Sequence, residues 1–259
     1  MNLFFFGTTE RQLFGAYHAP AAAAPARGAA LLCPPWGPEY FAAHRTLRQL
    51  ASRLATSGFH VLRFDYYGTG DSAGERDEGD LASWVEDAGV ALQELQDVSG
   101  DSRISVFGMR LGAVAASRLA RSRAAQVGTV VLWDPVVDGK AYLRELHSAQ
   151  KEIDRWSLTP RSAVSYPPAE LLGTPLTPAM TASIERVTLD NFRELGTPRV
   201  RVFLSDEQPG NQALCGMLRA SGTQLRTETV AGQTPWREET LMQGLVPNLA
   251  VEWLVEAVR

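Results

Sequence analysis

Residues 2 to 19 hold two apolar, aromatic-rich segments broken at Gly7-Thr8-Thr9, a pattern that predicts a pair of antiparallel strands. From Gly28 the alternation of elements becomes regular. Ala29 to Cys33 is a continuous apolar run ended by Pro34-Pro35, as expected of a strand buried on both faces of a parallel sheet. Phe41 to Ser57 carries Leu47, Leu50, Leu54 and Ala55 at helical spacing and closes on Gly58, a C-cap residue. Phe59 to Phe64 predicts the next strand, about Leu81 to Val98 a helix, and Ile104 to Phe107 a strand. A tight glycine-containing turn follows, then a helix from Leu111 to about Ser122 and a strand from Gly128 to Trp133, stopped by Asp134-Pro135.

Between Asp138 and about Leu195 the alternation fails. The segment is proline-rich without a strong strand pattern, and it predicts short helices and loops inserted as a lid, about residues 138–195. Regular order resumes with a strand at Arg199 to Leu204, a helix around Ala213 to Ala220, a strand at Gln224 to Val230 and a final helix ending in Val251 to Val255. Strands separated by helices of this length imply a mostly parallel, doubly wound α/β sheet with right-handed crossovers and helices on both faces. A length of 259 residues suits one such domain over 1–259. The Ala/Pro stretch from Pro20 to Pro25 reads as a surface turn.

Composition narrows the function classes. A hydrophobic content of 45% with 21% charged residues excludes disorder, and a net charge of -4 with interspersed signs gives no footprint for nucleic acid. No apolar stretch approaches a membrane span, and Met1 to Gly7 lacks a basic leader, so a cytoplasmic protein is expected. Two cysteines, Cys33 and Cys215, and four scattered histidines form neither a disulfide framework nor a metal-ligand spacing, so no metal or other cofactor is expected.

Four motifs in order carry a resemblance. Cys33-Pro34-Pro35-Trp36-Gly37 follows the first parallel strand, Asp65-Tyr66-Tyr67-Gly68-Thr69-Gly70-Asp71-Ser72 follows the next, Gly108-Met109-Arg110-Leu111-Gly112 joins a strand to a helix, and Asp134-Pro135 ends the strand after that. The set resembles the α/β-hydrolase superfamily over essentially the whole chain, the third motif being its nucleophile elbow. More narrowly it looks like a bacterial subgroup labelled serine-aminopeptidase-like or exosortase-A-system-associated hydrolases. That resemblance implies exopolysaccharide or natural-product biosynthesis.

The chain departs from the superfamily pattern in two places. The elbow needs a serine, cysteine or aspartate as nucleophile, whereas Arg110 offers a permanently protonated guanidinium. The loop expected to hold the histidine reads Val230 to Glu238 without one, and no histidine follows His147. Of the triad only the acid survives, as Asp206 or, alternatively, Glu207. Arg110 at a helix N-terminus suits a carboxylate, a phosphate or a phosphopantetheine arm. It is equally suited to internal pairing with Asp206, Glu39 or Asp134.

Other candidates keep two readings each. Cys33 with His44 as base would make a displaced thiolate nucleophile, or is a small buried hydrophobe. His44 is a proton-transfer group or a support for the loop from Pro34 to Tyr40. Glu39 is a general base or the counter-ion of Arg110. Asp71 and Ser72 fix their own turn. Trp36, Tyr40, Trp133, Trp156, Tyr166 and Trp236 form an aromatic wall or belong to the core, and Met109 and Leu111, flanking Arg110, are candidate substrate contacts. Two functions follow. One is a non-hydrolytic protein binding an anionic, acyl or carrier-linked small molecule at Arg110. The other is an acyl-transfer enzyme, thioesterase or esterase using Cys33 or an activated water.

Overall fold

The computed structural model of the chain describes residues 1–21, 26–156, 170–237 and 247–258. Two aromatic-rich strands, β1 (Asn2–Gly7) and β2 (Gln12–His18), open it as an antiparallel pair. There follow β3 (Gly28–Cys33), α1 (Pro38–Thr56), β4 (Phe59–Phe64), α2 (Leu81–Ser99), β5 (Ile104–Met109), α3 (Leu111–Ser122) and β6 (Val127–Trp133). A helical insertion holds α4 (Gly139–Trp156), a two-residue hairpin of β7 (Glu170–Leu171) and β8 (Thr174–Pro175), and α5 (Pro178–Glu185). The chain then returns to the sheet through β9 (Arg199–Leu204), α6 (Pro209–Ala220), β10 (Gln224–Thr229) and α7 (Asn248–Glu256).

The main sheet has the order β1-β2-β4-β3-β5-β6-β9-β10, parallel from β4 onward and antiparallel at the β1 and β2 edge. Its central strands are mostly apolar because both faces are covered: every residue of β6 is buried, Thr129 included. Leu31, Val106, Val130 and Val200 face one core with α2, α3 and α6, while Leu32, Phe107, Val131 and Phe203 face the other with α1 and α7. Alternation along each strand therefore decides which face a residue serves.

Element ends differ from the sequence reading where proline starts a helix. Pro38 and Pro209 occupy first-turn positions of α1 and α6, where a missing N–H is tolerated, so both helices begin earlier than apolar spacing alone implies. The insertion differs more. Short helices were expected there, yet α4 runs for 18 residues. Its Tyr142, Leu143 and Leu146 sit one turn apart and are buried against the α2 and α3 side of the sheet. The expected surface turn at Pro20 to Pro25 falls largely on residues 22–25, outside the described ones. Among the described residues no helix is long and apolar enough to cross a membrane, and no group of three or more His, Cys, Asp or Glu is placed to hold a metal ion.

One buried charge ties the N-terminal hairpin to the rest. Asp87 of α2, only 1% exposed, accepts from Arg11 Nε at 2.9 Å and from the Tyr67 backbone N–H at 3.0 Å. The Arg11 guanidinium lies over the Tyr67 ring at 4.2 Å. Asp87→Ala leaves the Tyr67 N–H without its acceptor while Arg11, 37% exposed, can turn to water, so it is expected to lower stability by about 2 kcal/mol in urea denaturation. A loss below about 1 kcal/mol would show that the anchor is not needed.

Candidate functional site

The site begins at the turn between β5 and α3. Arg110 caps α3 with φ 53° and ψ -119°, a conformation that a side-chain-bearing residue adopts only when its surroundings hold it there. Glycines make the turn possible. A Cβ on Gly112 would lie 2.3 Å from the carbonyl oxygens of Cys33 and Pro34, and one on Gly108 would lie 2.5 Å from Ala113 Cα and Gly112 O. The loop after β3 is thereby pressed against the elbow, and Arg110 stands at its apex with its N–H donating to Trp133 O at 3.0 Å.

The Arg110 side chain is 14% exposed and points into a ring of acceptors and aromatic faces. Its Nε donates to Glu39 Oε1 at 2.9 Å, and its Nη2 reaches Glu145 Oε2 at 3.3 Å. The guanidinium carbon is 5.3 Å from the ring centres of both Tyr142 and Trp236. Glu39, buried in the first turn of α1, accepts the Tyr142 hydroxyl on its second oxygen at 2.9 Å. Glu145, in contrast, is 55% exposed. Burial works against the charge on Arg110, but Glu39, Tyr142 and Glu145 outweigh it and raise its pKa, so the guanidinium stays protonated. Burial likewise pushes the Glu39 carboxyl up, with Arg110 and Tyr142 pulling it back.

Asp206 follows β9 and accepts from Gln208 Nε2 at 2.9 Å and Asn211 Nδ2 at 3.4 Å. It does not bond Arg110, although the two line one polar cavity of about 360 Å³ together with Asp134, Asp138, Glu145, Thr234, Trp236 and Arg237. Asp134, with φ 41°, receives the Ser205 backbone N–H on Oδ1 at 2.9 Å. Ser205 Oγ lies 2.6 Å from Asp134 Oδ2 and 2.5 Å from Gln233 O. Gln233 stands in the loop after β10. Glu207 is exposed beside Asp206.

Cys33 and His44 are not brought together. Cys33 is buried in the core shared with Tyr66, α2 and α3, and burial pushes its thiol up to about 12, which leaves no thiolate near neutrality. His44 lies on α1, edge-on to Tyr40 with ring centres 6.2 Å apart, and lines a separate cavity of about 300 Å³ with Arg63, Asp65 and Asp71. Burial and then Arg63 lower its pKa. The Tyr40 hydroxyl donates to Asp65 Oδ1 at 2.5 Å. Ser72 Oγ donates to Asp65 O at 2.6 Å and accepts the Phe14 N–H at 2.8 Å, so its hydroxyl is committed to the turn.

The aromatic candidates divide. Trp236 is over Arg110 and edge-on to Trp133, and Trp133 itself is in the core. Trp36 and Tyr40 line a cavity of about 560 Å³ on the far side of Pro38, with Phe41 and Trp84. Met109 and Leu111 are buried in opposite cores, one on each face of the sheet, and present no surface beside Arg110. Tyr166 and the Trp156 side chain lie outside the described residues. Sequence reasoning missed Tyr142, Glu145 and Ser205. The first two are separated by three positions on α4, a same-face spacing visible once the insertion is read as a long helix.

The profile of the serine aminopeptidase S33 family matches residues 42–214, more than half of the chain. A search of curated proteins finds no match. Among solved structures the chain is similar to a highly thermostable carboxyl esterase from Bacillus coagulans, at 13% identity and TM-score 0.67, covering 100% of this chain and 99% of that one. It is also similar to Est1E from Butyrivibrio proteoclasticus, solved with ferulic acid bound, at 14% identity and TM-score 0.64 over 98% and 99% of the two chains. Proline iminopeptidase from Mycobacterium smegmatis gives 12% identity and TM-score 0.64 over 99% of each. At such identities the likeness shows the fold. The family match adds to it, and the chain belongs to the serine aminopeptidase S33 family of α/β hydrolases.

Proposed function

We propose that this chain is a non-hydrolytic member of its family that holds an anionic, acyl-bearing small molecule through Arg110. The observation that carries the reading is that one guanidinium at the elbow faces two carboxylates of unlike standing. Glu39 is buried and doubly hydrogen-bonded, which suits a permanent counter-ion. Glu145 is more than half exposed and longer in contact, which suits a lid carboxylate in the place of a ligand anion. Its departure costs little, since an exposed ion pair is worth about 0–1 kcal/mol.

A second cavity of about 720 Å³ supports the acyl part of the reading. It is lined by Glu39 and Glu145, the two carboxylates paired with Arg110, and its apolar wall of Leu146, Ala149, Ile153, Leu172 and Trp236 is edged by Gln150, Glu152, Glu170 and Arg237. A carboxylate or a carrier's phosphate at Arg110 with its chain in that cavity would satisfy both surfaces. Resemblance of the four motifs to the bacterial biosynthetic subgroup suggests exopolysaccharide or natural-product assembly as the setting.

Octanoate is a suitable probe. Calorimetry is expected to show binding to the wild type that weakens about tenfold or more when the charge-assisted bonds are removed in the double variant Arg110→Gln with Glu39→Gln, which leaves no buried charge unpaired. Glu145→Gln is expected to bind more tightly than the wild type. Equal affinity in all three would overturn the reading. Arg110→Ser restores a serine to the elbow without a histidine, and is expected to hydrolyse p-nitrophenyl esters no faster than the wild type. Labelling of the wild type by a fluorophosphonate, lost in Ser72→Ala, would show a serine hydrolase instead.

A further inference from the structure

The hydroxyl of Ser205 poses a proton-counting problem. It has one hydrogen to give, and its oxygen lies 2.6 Å from Asp134 Oδ2 and 2.5 Å from Gln233 O. A carbonyl oxygen cannot donate. If Asp134 were a carboxylate, two acceptors would compete for one proton, and the loser would face a lone pair at contact distance in a buried place. A proton on Asp134 removes the conflict: Asp134 Oδ2–H donates to Ser205 Oγ, and Ser205 Oγ–H donates to Gln233 O.

We infer that Asp134 is a protonated, positioning acid whose ionisation releases the loop of residues 230–237 and with it the Trp236 cover of Arg110. The chain of contacts is continuous. Asp134 ends β6 and Ser205 ends β9, so both are fixed by the sheet, Asp134 through its N–H to Phe203 O at 2.9 Å. Among the described residues, the Gln233 carbonyl accepts the Ser205 hydroxyl and its side chain a 3.4 Å contact from the Ala250 N–H, while the loop's first residue, Val230, is tied to Leu204 O. Three residues on, Trp236 lies against the guanidinium. When Asp134 loses its proton, the Ser205 hydroxyl turns to the carboxylate, the stronger acceptor, and the Gln233 carbonyl is left opposite a lone pair.

The surroundings favour the neutral acid near pH 5 and the ion near pH 7. Burial raises the pKa of Asp134 to about 6, and the two Ser205 bonds and Arg110 pull downward while Asp206 pushes upward. Asp138, Glu145 and Arg237 also line the cavity that Asp134 faces. The sign of the linkage follows. The folded chain holds this proton more tightly than the unfolded one, so the stabilisation is complete below about pH 4 and is lost as pH rises through about 6.

Two measurements on the full chain decide the matter, and neither requires a ligand at Arg110, so absence of octanoate binding would leave this inference standing. A ¹³C carboxyl titration is expected to show a resonance with a midpoint near 6 that is missing in Asp134→Asn. Hydrogen exchange, corrected for intrinsic rates, is expected to show residues 230–237 losing protection about tenfold between pH 5 and pH 7.5 in the wild type. Asp134→Asn keeps an N–H donor to Ser205 at every pH and is expected to stay protected throughout. Ser205→Ala is expected to be unprotected at both pH values. The inference is overturned if the Asp134 carboxyl titrates below 4, or if the same pH step persists in Asp134→Asn.

Discussion

A guanidinium that cannot lose its proton stands at the tightest turn of the fold, and much of the local structure answers to that charge. Gly108 and Gly112 let the elbow press against the loop after β3, and Tyr142 and Trp236 lie over the Arg110 guanidinium, which is largely shielded from solvent. An isolated buried cation would be strongly destabilising, so the first turn of α1 brings Glu39 within 2.9 Å and α4 brings Tyr142 to hold the carboxylate's other oxygen. Three elements far apart in sequence thus converge on one side chain. The turn that presents a nucleophile elsewhere in the superfamily here organises the packing of the inserted helix.

That convergence also limits the chemistry. A triad needs a nucleophile that can lose a proton to a base held at hydrogen-bond distance. Arg110 supplies no such group, and in the loop after β10 Gln233 is tied to Ser205 and Trp236 is laid on the guanidinium. The carboxylates next to the strand ends are engaged elsewhere. Asp206 is turned to Gln208 and Asn211, while Asp134 has taken the buried bonds.

The regular part of the fold was legible because the parallel strands are covered on both faces. Ala29 to Cys33 therefore reads as an unbroken apolar run and Val127 to Trp133 as one interrupted only at Thr129, and the helices between them keep a clear apolar stripe. The insertion was obscured because its prolines broke the pattern around α4, whose buried face is carried by few residues. At the site, Arg110, Glu39 and Asp206 could be singled out from motif positions alone. Their partners could not. Tyr142 and Glu145 come from the insertion, and the separation of Cys33 from His44 follows from strand pleat. The pleat sends the cysteine to the α2 side while His44 sits on α1, across the sheet.

Charge balance around Arg110 bears on what can enter. The polar cavity carries two cations, Arg110 and Arg237, against Asp134, Asp138, Glu145 and Asp206, with Glu39 behind them. An added anion would meet an already negative wall and could be accommodated only by exchange, with Glu145 swinging out to solvent as the newcomer takes its donor. A proton retained on Asp134 lowers that wall by one charge close to the guanidinium, and its loss restores it. Proton occupancy next to the end of β6 would therefore act on the elbow in two opposed ways, since losing the proton frees the loop that covers Arg110 while adding a negative charge to the wall that an anion must pass.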